Sequence, residues 1–348
     1  MNKINRRKFV KYSLVSAIGA AGLYSGLTLL DTLKIGEKPV FERTVFSLGT
    51  DVSIKIFGKY SKDLPQTADL AFREIELIDD LMSVFKQNSD ITRLNINAGR
   101  KEMSVDQRVI DVIVFSKLIS EKSSGVFDLT VLPLLELYGL RGSSSGEDIS
   151  LRSKILLSDI DYRRLEFDKD RAVAAISSER TRIDLGGIAK GYAVDRAASI
   201  LKNRGIEKAV INAGGDIYAI GAPDNSEGWP IGIQHPLHEN RIAAKIYIKD
   251  QSIATSGNYE KSVIIDNKKY GHLVDPKYGF METSLLSSTV IAPAAMTSDA
   301  LSTTSFLMNR NDGKSFVDDY QDCGSVFISK PADELEITFS QSVKIEKV

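Results

Sequence analysis

The hydrophobic pattern changes period several times along this chain, and each change marks an element. Between Arg43 and Phe57 apolar and polar residues alternate around a break at Leu48-Gly49-Thr50, which predicts two short strands joined by a tight turn. From Leu64 to Ser83 apolar residues recur every three or four positions, the spacing of a one-faced helix. Further helices are predicted at Asp106 to Ser123, ended by Gly125, at Leu151 to Ser158, from Ile188 to Leu201 with an end near Arg204, and at Ser298 to Met308. Phe85 to Asn95 is polar and turn-like, and Arg141 to Asp148, RGSSSGED, is the clearest loop. Strands are predicted near Arg164 to Phe167, Ala172 to Ile176, Ala209 to Asn212 and Ile217 to Ile220, through most of Ile231 to Val290, and at Ser325 to Ser329 and Glu336 to Phe339. Such an irregular mixture of helices and antiparallel-looking strand runs predicts an α+β fold. It would have mixed, largely antiparallel sheets with packed helices, forming a single unit over residues 40–348 and not a doubly wound parallel sheet.

Composition narrows the classes. A chain of 348 residues can bury a sizeable core. Its 45 Lys plus Arg balance 46 Asp plus Glu, so nothing points to a nucleic-acid groove. The single cysteine, Cys323, rules out an internal disulfide and cysteine-rich metal sites, and beside a predicted strand it reads as a buried, inert thiol. His235 and His238 form an H-x-x-H pair, but Pro236 between them argues for a loop over a zinc site.

The first 35 residues are of another kind. Arg6-Arg7-Lys8-Phe9 precedes a weakly apolar run from Tyr12 to Leu30, which resembles a twin-arginine export signal. The run approaches the ~20 residues that span a bilayer, so an N-terminal anchor in the inner membrane is the other reading. Either one places the remainder outside the cytoplasm, in the periplasm or on the outer face of the cytoplasmic membrane. No cysteine lies near for lipidation, and no clean A-x-A cleavage site is visible.

The densest chemistry lies between Thr181 and Asp195, TRIDLGGIAKGYAVD. Arg182-Ile183 reads as a strand end, Gly186-Gly187 as a place for close backbone approach, and Ile188 onward as a helix whose N-terminus suits an anion such as phosphate. A tight turn before an amphipathic helix would look the same, and neither GxGxxG nor a P-loop is present. Asp299 and Thr303, four apart on one predicted helix, project oxygens from one face, as a hard cation requires. A helix cap would also explain Asp299.

Further polar-glycine clusters recur where elements end. In order they are FSLGT at Phe46 to Thr50, SVFKQNSDITRLN at Ser83 to Asn95, SSGVFDLT at Ser123 to Thr130, DLGGIAKGYAVD, INAGGD, ATSGNYE at Ala254 to Glu260, HLVDP at His272 to Pro276, and SDALST. Over roughly Val45 to Met308 this series resembles the FAD:protein FMN transferase family. The resemblance implies a flavin transferase catalytic domain over 40–348 and a magnesium-dependent reaction. A threonine hydroxyl of an exported acceptor flavoprotein would attack the flavin-side phosphate of FAD, and AMP would leave. It implies Gly187, Asp299 and Thr303 as the Mg2+ ligands, Gly187 through its carbonyl, and His272 as the base, although a structural histidine remains an alternative there. Asp184 matches an aspartate that contacts the flavin nucleotide, Val126, Phe127 and Asp128 a segment lining the FAD site, and Phe85 an aromatic near the cofactor. Leu48 and Val274 match backbone or apolar contacts. Lys190 departs from members with glutamate there, and its charge would meet a phosphate or stay solvated. Two other outcomes stay open: an FAD pyrophosphatase releasing FMN and AMP, and a non-catalytic flavin-binding protein.

Overall fold

The alternation at the start of the chain folds as a hairpin of Phe41–Ser47 (β1) and Thr50–Ile56 (β2), paired antiparallel from Phe41 opposite Ile56 to Ser47 opposite Thr50. Leu48 and Gly49 turn it with φ of 55° and 71°, the left-handed pair that a two-residue hairpin needs. The structure, a computed structural model, describes residues 37–141, 149–258, 262–265, 268–280, 285–331 and 334–347. The export-signal or anchor reading of residues 1–35, and the loop from 142 to 148, lie outside the described residues. Among the described residues no helix is long and apolar enough to cross a membrane.

After the hairpin come Leu64–Met82 (α1), Asp90–Ile96 (α2), Met103–Ser104 (β3), Gln107–Lys122 (α3), Leu132–Leu137 (α4) and Ile149–Leu156 (α5). Single 3-10 turns lead to Leu165–Asp168 (β4) and Val173–Ile176 (β5), then Ala189–Asn203 (α6), Ala209–Ala213 (β6) and Asp216–Ile220 (β7). Strands Trp229–His235 (β8), His238–Ile248 (β9), Gln251–Gly257 (β10), Ser262–Ile265 (β11), Lys268–Gly271 (β12), Val274–Asp275 (β13), Gly279–Phe280 (β14) and Leu285–Ala292 (β15) follow. Ala295–Leu307 (α7), Arg310–Asp318 (α8), Gly324–Ser329 (β16), Glu336–Phe339 (β17) and Ile345–Lys347 (β18) complete the order.

Three short helices, α2, α4 and α8, were not expected from periodicity. In the stretch expected to be turn-like, the Ser89 hydroxyl accepts the Thr92 N–H and starts α2, whose Ile91 and Leu94 are buried. Arg182-Ile183 is not a strand end: Arg182 makes only an isolated parallel bridge with Val131, and the Asp184 N–H donates to the Leu129 carbonyl 2.8 Å away.

An eight-stranded antiparallel sheet, ordered β1-β2-β6-β7-β10-β15-β16-β17, forms the middle layer. Helices cover one face, where Ile54, Ile211, Tyr218 and Val290 join a core with Phe72, Ile75, Val194 and Leu201. The other face, with Val210, Ile217, Ile253 and Val326, packs on Trp229, Ile231 and Ile246 of the three-stranded sheet β18-β9-β8. Strands covered on both faces have no solvated side, so β6 and β7 are buried throughout and appear in the sequence as continuous apolar runs. Trp229, fully buried, satisfies its indole N–H at the Ile220 carbonyl, 3.1 Å away.

Candidate functional site

Two helices meet where the densest motifs lie. Helix α7 starts at Ala295, earlier than periodicity predicts, because the Asp195 carboxylate of α6 accepts the N–H groups of Ala295 and Met296 at 2.6 and 2.8 Å. In return Asp299, in the second turn of α7, accepts the Gly191 N–H in the first turn of α6 at 2.9 Å. Each helix therefore caps the other, satisfying N–H groups that a helix start leaves unpaired. The caps need close approach, and Gly191 permits it: a Cβ there would stand 2.2 Å from the Ala295 carbonyl oxygen.

Asp195 and Asp128 carry a consequence for pH. Burial pushes both carboxyls up to about 6, against the pull of the N–H groups that they accept. Between pH 4 and 6 the folded chain then holds protons that the unfolded chain has released, so stability rises as pH falls through that window. A shift of about two units is worth on the order of 1–3 kcal/mol per group. Urea midpoints are expected to be higher at pH 5.5 than at pH 7.5, with a smaller rise in Asp195→Asn. A lower midpoint at pH 5.5 would rule this out.

Lys190 precedes Gly191 and reaches back to the sheet. Its ammonium contacts the Asp216 carboxylate at the start of β7 and lies 3.7 Å from Asp299 Oδ1. Asp216 is buried, and burial together with the Asp299 charge pushes its carboxyl well above the usual range, with Lys190 pulling the other way. The INAGGD turn that positions it has Gly214 and Gly215 at φ of 61° and 100°, and the Asn212 side chain accepts the Gly215 N–H. Gly214 packs against Thr50, which brings the FSLGT hairpin tip to the same corner.

One turn beyond Asp299, Thr303 Oγ1 lies 3.2 Å from Ser256 Oγ of the TSG motif in β10, and Ser256 also meets Ser302 at 2.9 Å. A Cβ on Gly187 would start 3.5 Å from both Thr303 Oγ1 and the Phe127 ring, so the α6 entrance and the face of α7 lie against each other. The Asp299 carboxylate, the Thr303 hydroxyl and the nearby Gly187 backbone are hard oxygen donors. With Asp216 they set, among the described residues, two carboxylates against the Lys190 ammonium. That donor set fits a magnesium ion, which keeps waters and takes substrate phosphate oxygens. Among the described residues no three His, Cys, Asp or Glu side chains cluster as a metal site. His235 and His238 close the β8–β9 hairpin with ring centres 4.6 Å apart.

Asp184 stands at the other side of the glycine turn. Arg141 grips it with two hydrogen bonds of 2.8 and 3.1 Å, its guanidinium lies 5.7 Å from the ring centre of the exposed Phe85, and the Gly186 N–H donates to Asp184 Oδ1. Neither Gly186 nor Gly187 has a positive φ. At Gly186 a Cβ would lie 2.5 Å from the Arg141 guanidinium and 2.6 Å from the Asp184 carboxylate, so any side chain there would push on the ends of that ion pair. Buried Asn95 accepts the Ile183 N–H and donates to the Ile183 carbonyl, fixing the approach to the turn.

The other expected contacts are placed as follows. Asp128 spends its carboxylate on the N–H and hydroxyl of Thr130 and on the Tyr162 N–H, so it shapes its own loop. Phe127 packs beside Gly187, while Val126 joins Leu273 against Phe306 of α7. Val274 is buried with Leu134, Leu137 and Tyr138 of the α4 region, and half-buried His272 precedes these two anchors. Leu48 packs on the main core from the hairpin turn. Cys323 is buried just before β16, and burial pushes its thiol up to about 11, as an inert thiol requires. Arg141, Asp195, Asp216 and Ser256 were not singled out from the sequence. Asp195, Asp216 and Ser256 lie inside the quoted motifs, but the partners of Arg141 and Asp195 are 43 and 100 residues away.

The ApbE family model matches residues 48–327, and the chain belongs to that family. It is 28% identical over 303 residues to an FAD:protein FMN transferase of Klebsiella pneumoniae, covering 86% of this chain and 92% of that protein. A protein of the same name from Vibrio cholerae is 28% identical over 278 residues, 77% of this chain and 81% of that one. Among solved structures, the ApbE protein of Thermotoga maritima superposes with a TM-score of 0.77 at 30% identity, covering 87% of this chain and 97% of that one. The flavin transferase ApbE of Vibrio cholerae gives 0.78 at 25% identity with the same coverage.

Proposed function

We propose that this chain is an FAD:protein FMN transferase, moving FMN from FAD to a threonine hydroxyl of an acceptor flavoprotein with release of AMP. The carrying observation is the convergence of Asp299, Thr303 and Gly187 at the start of α6, in a chain of the ApbE family. Asp299, Thr303 and the Gly187 carbonyl would hold magnesium, which supplies charge neutralisation at the pyrophosphate when bound. The positive end of the α6 dipole would favour the phosphates, although the Ala189 and Gly191 N–H groups are taken by the Leu185 carbonyl and by Asp299. Asp184, held by Arg141 beside Phe85, orients the flavin nucleotide. His272 takes the proton from the acceptor hydroxyl as its oxygen bonds to phosphorus, a contribution of typically ~10²–10⁴-fold. The bond from that phosphorus to the AMP side breaks. The Arg6-Arg7 segment supports export, with the domain acting in the periplasm or tethered to the outer face of the cytoplasmic membrane.

Purified chain incubated with FAD, magnesium and a threonine-bearing acceptor domain is expected to yield a fluorescent acceptor band and one AMP per labelled acceptor. AMP without labelled acceptor would replace transfer by FAD hydrolysis, and neither product would leave only flavin binding.

A further inference from the structure

Lys190 is the residue of the glycine-turn helix that the donor set does not use, and its surroundings give it a different task. Two carboxylates, Asp216 from the sheet and Asp299 from α7, converge on one ammonium carried by α6. Asp216 is buried at 3% exposure and Asp299 is likewise 3% exposed, so water screens their repulsion poorly. The ammonium contacts Asp216 and stands 3.7 Å from the outer oxygen of Asp299, while the other Asp299 oxygen is engaged by the Gly191 N–H. A divalent cation bound by Asp299 would therefore need the oxygen that faces Lys190. Asp216 is positioned to retain the lysine, because its carboxylate is the closer of the two.

From this arrangement we infer that Lys190 is a built-in counter-ion. It holds the two carboxylates together in the metal-free protein and competes with the divalent cation for Asp299, and Asp216 is the anchor that receives it when the metal arrives. Lys190 is thus a positioning residue, and it sets metal affinity below what the carboxylates alone would give. The inference rests on the metal reading of Asp299 proposed above. It adds a prediction that separates it from a phosphate-binding lysine, whose loss would leave nucleotide-free metal affinity unchanged.

The test is manganese binding to the full chain without nucleotide, followed by calorimetry or by loss of the free Mn2+ resonance, in wild type, Lys190→Gln and Lys190→Arg. Lys190→Gln is expected to bind Mn2+ roughly tenfold more tightly or better, because a unit positive charge has left a poorly screened site. Its metal-free melting temperature should fall, and Mn2+ should raise it more than in wild type. Lys190→Arg, which keeps the charge, should not tighten binding. Unchanged or weaker Mn2+ affinity in Lys190→Gln, with wild type binding, would overturn the counter-ion role alone. Binding by Lys190→Gln where wild type binds none would be its strongest support. Binding by neither would overturn the metal reading and the inference together.

Discussion

Asp299→Ala is expected to abolish FMN transfer, with kcat at saturating FAD and magnesium down by ~10²–10³-fold or more, the scale on which removing a principal electrostatic group acts. Two losses would coincide in that variant: the charged oxygen donor and the cap on α6, since the same carboxylate accepts the Gly191 N–H. Asp299→Asn separates them, because an amide oxygen can still accept that N–H while the negative charge is gone. If Asp299 matters mainly as a cap, Asn should restore most of the rate. If its charge matters, Asn should be nearly as inactive as Ala while its stability stays close to wild type. Cap removal costs ~1 kcal/mol. Loss of Asp299 also relieves the buried Asp216 of a like charge, so Asp299→Ala should unfold only slightly more readily. The measurement is AMP release and acceptor labelling beside a urea melt. Activity in Asp299→Ala within a few-fold of wild type would remove this residue from the proposed metal site.

The elements that the sequence made legible are those whose reasons are local. The β1–β2 hairpin follows from alternation around Leu48-Gly49, and α1 from a long one-faced repeat that buries Phe72, Ile75 and Ile78. The helix α2 escaped because seven residues give too few turns for a period, although Ser89 before Asp90 carried a cap signal. Motif company points to Asp184 and Gly187, and the four-residue spacing on one helix adds Asp299 and Thr303; the fold places Gly187 against Thr303. What stayed hidden is the pairing across long separations. Nothing near Arg141 announces Asp184, and nothing near Asp195 announces the start of α7. The three glycines of DLGGIAKG look alike in sequence and serve different neighbours: an ion pair at Gly186, a threonine and a ring at Gly187, a second helix at Gly191.

Gly191→Ala gives the largest expected loss of stability, and local propensity predicts the opposite sign. In an exposed helix interior this exchange gains up to ~1 kcal/mol, because alanine gives up less backbone freedom on folding. Here the new Cβ would sit 2.2 Å from the Ala295 carbonyl oxygen, 2.6 Å from its carbon and 2.8 Å from Asp299 Cβ. The first two obstacles are backbone, which cannot rotate away as a side chain can, so α6 and α7 must move apart. Overpacking of this kind costs ~1–3 kcal/mol, occasionally more. Separation would also stretch the reciprocal caps at Asp195 and Asp299, adding the loss of up to three hydrogen bonds to the steric cost. Packing therefore outweighs propensity, and the urea midpoint should fall. Because the same crossing aligns Asp299 and Thr303 with Gly187, transfer should weaken even in the fraction that stays folded. The exposed Ser199→Ala on the same helix is the control and should leave both quantities nearly unchanged. A midpoint that rises in Gly191→Ala would mean that the helices do not cross this closely, and the reciprocal caps would fall with that contact.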